Sequence, residues 1–178
     1  MVPLVDASRF QLGPEDGLAG ADLAEELSSL AAFEAAVRED VPSQPWTRPV
    51  KDVLLAYGVG GILGLYLVRF QEPLSDGDGD TERWFVVGDI PHMNFETEDA
   101  LTPKLALELY CAIAQDWADR VLAGDDLSDS CPIEAPATKG NAEDLLSRIE
   151  FIREKLIPLA EKHGAAPDAA GRDHPSRS

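Results

Sequence analysis

Basic residues are scarce in this chain: fifteen Lys and Arg stand against thirty-three Asp and Glu, a formal charge of −18. That deficit argues against nucleic acid and anionic membrane as partners, because both are held by a cationic footprint. Cysteine is nearly absent. With only Cys111 and Cys131 there is no disulfide framework of the kind that staples small secreted domains. Cys111 falls in an apolar helical pattern with Leu107, Tyr110, Ile113, Ala114 and Trp117, the setting of a buried reduced thiol. Cys131 sits beside Pro132 with no base near it in sequence, so both read as structural. Long apolar runs are missing as well. The uncharged stretch 53–68 is shorter than the ~20 residues a spanning helix needs, and Gly58, Gly60, Gly61 and Gly64 interrupt it. Met1-Val2-Pro3-Leu4-Val5-Asp6 has neither the basic start nor the apolar centre of a signal peptide, so the expectation is a cytoplasmic protein.

What is present suits one globular domain with tails: 178 residues, 44% of them hydrophobic. Residues 1–45 read as a loose arm followed by an amphipathic helix over 22–40, with Leu23, Leu27, Leu30 and Val37 on one face. Pro42 and Pro45 close that helix, and the body spans 46–163. Within it, 48–57 reads as a short helix with Pro49 in its first turn and Gly58 as its left-handed cap. The branched and aromatic runs at 62–71 and 83–90 predict an antiparallel hairpin joined by a polar glycine-bearing loop, the first strand buried on both faces. Met93 to Glu96 offers a short third strand. Thr102-Pro103 starts a helix that Gly124 stops. A second helix begins near Asn141 with the stripe Leu145, Ile149, Ile152, Leu156 and Leu159, and Pro158 should kink its last turn. Residues 164–178 read as a disordered tail. The expected class is α+β: a small antiparallel sheet around a central β-hairpin, two C-terminal amphipathic helices on one face, and an N-terminal helix.

The candidate chemistry is thin. Asp76-Gly-Asp78-Gly-Asp80 suggests a calcium loop, yet the glycine and glutamate positions of an EF-hand hold Thr81 and Val87. It reads as a solvated turn, and no metal is expected. Gly58-Val59-Gly60-Gly61-Ile62-Leu63-Gly64 precedes a strand, whereas a dinucleotide fingerprint follows one and opens a helix. No cofactor is expected. Asp89, His92 and Glu96 cluster where the second strand ends and form the candidate acid–base set. No nucleophile motif accompanies them, so a turn stabilised by Asp89 is the plainer reading. Trp117 belongs on an apolar helix face. Trp84 could face helices or solvent, and Trp46, between Pro45 and Thr47, is the least predictable of the three and a candidate contact residue.

Gly58-Val59-Gly60-Gly61, Trp84-Phe85-Val86-Val87-Gly88-Asp89-Ile90-Pro91, the helix bearing Ala106, Leu107, Tyr110 and Trp117, and Ala142, Leu145 and Arg148-Ile149 carry a resemblance. Over 58–158 the chain resembles an uncharacterised family of small bacterial α+β proteins. In size, acidity and fold type it is also similar to the acidic immunity proteins that neutralise bacterial toxins, a likeness that implies no activity by itself. The leading expectation is an acidic protein-binding module, an immunity-type inhibitor or a regulator of a basic protein partner. Its contact residues would be Asp76, Asp78, Asp80, Glu82, Asp125, Asp126 and Trp46. The alternatives are a small enzyme using an Asp89/His92 acid–base pair and a DNA-mimicking acidic protein. The sequence carries no signal for oligomeric state.

Overall fold

In the computed structural model, which describes residues 20–76 and 79–163, four antiparallel strands in the order β1-β2-β3-β4 separate two helical layers. The N-terminal arm, Gly77, Asp78, the tail from 164 and the side chain of Leu23 lie outside the described residues. The strands are β1 (Val50–Val59), β2 (Leu63–Phe70), β3 (Glu82–Gly88) and β4 (Met93–Glu96). The expected hairpin is β2–β3, with Tyr66 opposite Phe85 and Leu67 opposite Trp84, and β4 adds the expected third strand.

The expected helix at 48–57 is instead β1. Leu54, Leu55 and Ala56 favour helix intrinsically, but pairing with β2 and burial of Val53 and Tyr57 against two cores override that preference. Gly58 is a strand residue opposite Gly64. The positive φ of +74° falls on Gly61, inside the turn that Ile62 N–H closes onto the Val59 carbonyl at 3.1 Å. β1 also carries two extra residues relative to β2, at register shifts between Val50 and Asp52 and between Leu55 and Tyr57. The second lets Ala56 and Tyr57, adjacent in sequence, join the same core.

The period of two along the sheet sorts its side chains into the two cores. Leu63, Leu65 and Leu67 of β2 and Trp84 and Val86 of β3 face α2 (Pro103–Ala123) and α3 (Lys139–Phe151). Trp84 is fully enclosed there and its indole N–H donates to the Ala100 carbonyl at 2.8 Å. Tyr66, Val68, Phe70, Phe85 and Val87 face the opposite way, toward Val37 of α1 (Gly20–Asp40) and Val41 of the 3₁₀ turn Val41–Ser43 that follows it. Tyr66 O–H donates to the Leu30 carbonyl at 2.8 Å and Glu26 accepts from Gly60 N–H, so α1 is pinned by hydrogen bonds as well as apolar contact. Its inward stripe runs through the buried Leu30 and Val37 and the partly buried Phe33; Leu27, expected on that face, is exposed.

Thr102 and Thr138 cap α2 and α3, accepting from Leu105 and Asn141 N–H, and Gly124 ends α2 at φ +73°. Leu145, Ile149 and Ile152 are buried with Tyr110 and Trp117 as the stripe predicts. Beyond them a π-helical turn, Ile152–Leu156, precedes α4 (Ile157–His163), and Pro158 follows it. Proline lacks the donor and crowds the carbonyl four residues back, and the wider turn relieves that clash. One added residue rotates the helix end by about 100°. Ile157 and Ala160 are therefore buried, and Leu159, expected in the stripe, points outward.

Candidate binding groove

β3 ends on Gly88, whose φ of +142° turns the chain out of the sheet. A Cβ there would stand 2.2 Å from the Ile62 carbonyl oxygen, so only glycine permits the close crossing. Asp89 N–H then donates to that carbonyl at 2.9 Å, which sets the carboxylate at the rim of the sheet beside α3. Arg148 of α3 meets it at 3.0 Å. Both side chains are well exposed, so the pair is screened and worth at most about 1 kcal/mol.

Around this pair lies a groove of about 370 Å³, bounded by Gly88–Pro91, the 134–136 segment and α3 at Asn141, Asp144, Leu145 and Arg148. Trp117 and Leu145 give it an apolar floor, both nearly fully buried. Tyr110 supports the wall from below, donating to the Pro91 carbonyl at 2.9 Å, and its burial pushes the phenol well above its ordinary range. The polar lining is lopsided. Asp89, Glu134 and Asp144 face one arginine, and among the described residues neither Glu134 nor Asp144 makes an ion pair. A second depression of about 180 Å³ shares Asp89, Ile90 and Arg148 with the first and continues past them to Gly61, Ile62, Phe151 and Ile152.

The expected acid–base set is not assembled. Asp89 pairs with Arg148, and His92 Nδ1 lies 3.4 Å from Asp40 at the end of α1, in a smaller cavity of about 170 Å³. Glu96 lies 3.6 Å from Arg83. The acidic contact candidates divide too. Asp76 holds the buried Arg83 at 3.1 Å, Glu82 holds Arg69 at 2.8 Å, and Asp80 is half-buried, its carbonyl accepting from Leu74 N–H. Asp78 lies outside the described residues. Asp125 is exposed after the end of α2. Asp126 accepts from the Ser128 hydroxyl and N–H, which holds its carboxyl below the usual range. The 76–82 loop adjoins the start of β3 and the groove adjoins its end, ~20 Å apart along the strand. Trp46 is half-buried, stacked on Phe85 and edge-on to Phe70, with the Arg83 guanidinium 4.1 Å over its ring.

Glu134 and Asp144 escaped the sequence reading, and Arg148 entered it only as part of a resemblance, because they come from a loop and a helix some 45 to 60 residues beyond Asp89 and form no local motif with it. Among the described residues no group of three or more His, Cys, Asp or Glu side chains is placed to hold a metal ion, and no helix is long and apolar enough to cross a membrane. Searches against family models, curated proteins and solved structures returned no match to this chain.

Proposed function

We propose that this protein binds a basic protein partner and that the groove at the end of β3 receives the partner's cationic side chains. The observation that carries the reading is the lining of that groove: three carboxylates over an apolar floor, with the single arginine already engaged by one of them. The loop 124–138 beside it holds Asp125, Asp126, Asp129 and Glu134 and no Lys or Arg, which extends the negative field outward. A net charge of −18 speeds the encounter with a cation, and the fixed carboxylates then select its docking position. Immunity-type occlusion of a basic toxin is one form of this activity, in keeping with the likeness in size, acidity and fold class.

The test is to titrate octalysine into the isotope-labelled protein and map amide shift changes. Those changes should concentrate at 88–91, 134–136 and 141–148. Raising salt from about 20 to about 300 mM shortens the Debye length from roughly 20 to roughly 6 Å and should weaken binding. Glu134→Gln with Asp144→Asn should weaken it about five- to tenfold, two exposed ion pairs at roughly 0.5–0.7 kcal/mol each. Shifts spread evenly over α1 and the 71–81 loop would refute the groove as the docking site.

A further inference from the structure

We infer that the groove recognises an extended peptide segment in which an Arg or Lys is followed two residues later by a bulky apolar side chain. The inference rests on the partner-binding reading and narrows it to a sequence class. Its basis is the junction of two unlike depressions across the Asp89–Arg148 pair. On one side lie Glu134 and Asp144 over Trp117. On the other side the lining is largely apolar, formed by Ile62, Ile90, Phe151 and Ile152, and Phe151 is 42% exposed. Of the large apolar side chains exposed among the described residues, Phe151 is the one that lines this depression, beside Ile62, Ile90 and Ile152.

The α3 wall fixes the spacing. Asp144, Arg148 and Phe151 follow at four and three residues, one above another on the same helix face. From Asp144 to Phe151 the axial distance is about 10 Å at 1.5 Å per residue. An extended peptide repeats side chains on one face every ~7 Å, and the long stem of Arg or Lys spans the remainder. A cation and an apolar group at positions i and i+2 thus reach both halves at once.

Charge complementarity selects this occupant over others. Asp89 is engaged by Arg148, while Glu134 and Asp144 have no cation of their own among the described residues. A second copy of the chain would bring another −18 of charge to an already negative wall. A small organic cation would leave the Phe151 side empty.

The probe is the capped peptide Gly-Arg-Ser-Leu-Gly, titrated calorimetrically into the full chain beside two comparators, one with Leu replaced by Gly and one with Arg replaced by citrulline. The parent peptide should bind about tenfold more tightly than the glycine comparator, from one partly buried leucine, and about threefold more tightly than the citrulline comparator, from one exposed ion pair. Phe151→Ala should abolish the preference for Leu and keep that for Arg, and Glu134→Gln with Asp144→Asn should do the reverse. Equal binding of the parent and its Leu-to-Gly comparator overturns the inference and needs no variant protein to be folded. If octalysine still maps to the groove in that case, the basic-partner reading stands and only the peptide class falls. If octalysine shifts scatter as well, both fall.

Discussion

Replacing Arg83 with Met should leave stability within about 1 kcal/mol of its present value, although Arg83 is the one charged side chain among the buried described residues. Arg83 is 6% exposed, and its guanidinium pairs with Asp76 at 3.1 Å and Glu96 at 3.6 Å and covers the Trp46 ring. Among the described residues its Nε–H has no hydrogen-bond partner. Loss of the cation–π contact costs about 1.5 kcal/mol. Loss of the two ion pairs costs about 0.5 kcal/mol each, because Asp76 and Glu96 are 39% and 44% exposed and water can solvate them. Against this, a thioether of similar length keeps the packing on Trp46 and removes a desolvated donor that costs roughly 1–3 kcal/mol. Arg83→Ala, by contrast, opens a hole beneath Trp46 and should cost roughly 2–4 kcal/mol. Urea unfolding at constant m-value separates the two variants. A loss above about 3 kcal/mol in Arg83→Met would refute the reasoning and show that the charge itself holds Trp46 and Asp76 to the sheet.

Gly88→Ala should cost about 3 kcal/mol, from a strained φ and the clash with the Ile62 carbonyl, and should disturb the amide shifts of 88–91 more than those of α1; a neutral result in urea would deny the crossing its role. Ile149→Ala, at a site 1% exposed, should cost roughly 2–4 kcal/mol in the same assay. Ellman's reagent at pH 8 should titrate one thiol, Cys131, in the native protein and two after denaturation, because burial pushes the Cys111 thiol up to about 11. Its pKa is raised on folding, so the unfolded chain releases that proton first. The stability it contributes is therefore complete below pH 9 and drains away as pH rises toward 11, which thermal unfolding across that window should register as a falling midpoint.

The pattern of residues reveals the β2–β3 hairpin, α2 and the α3 stripe because each is a local period with local punctuation: alternation around a polar loop, Thr-Pro before a helix, Gly after it. β1 was opaque for a physical reason. Val53, Leu54, Leu55, Ala56 and Tyr57 line two cores through a bulge, and that erases the alternation by which a strand is read. Gly60-Gly61 between two apolar runs was the available signal for a hairpin. The turn of register before Pro158 was foreseen as a kink, but not as the inserted residue that exposes Leu159. In the groove only Asp89 was legible from sequence, since its neighbours on the 134–136 segment and α3 arrive through tertiary packing alone.

The two extra residues of β1 bear on how the protein behaves in a crowded solution. β1 is one border of the sheet, and a straight ten-residue border would offer a continuous row of backbone donors and acceptors to any other extended chain. The register shifts near Lys51 and Ala56 break that row into short segments and twist them out of line, and Lys51 and Asp52 set charge beside the first break. Deleting Ala56 would restore an even ladder from Asp52 to Val59, keep Tyr57 opposite Leu65 and lengthen the flat stretch of that border. Such a chain should form thioflavin-positive fibres at concentrations where the parent protein stays clear.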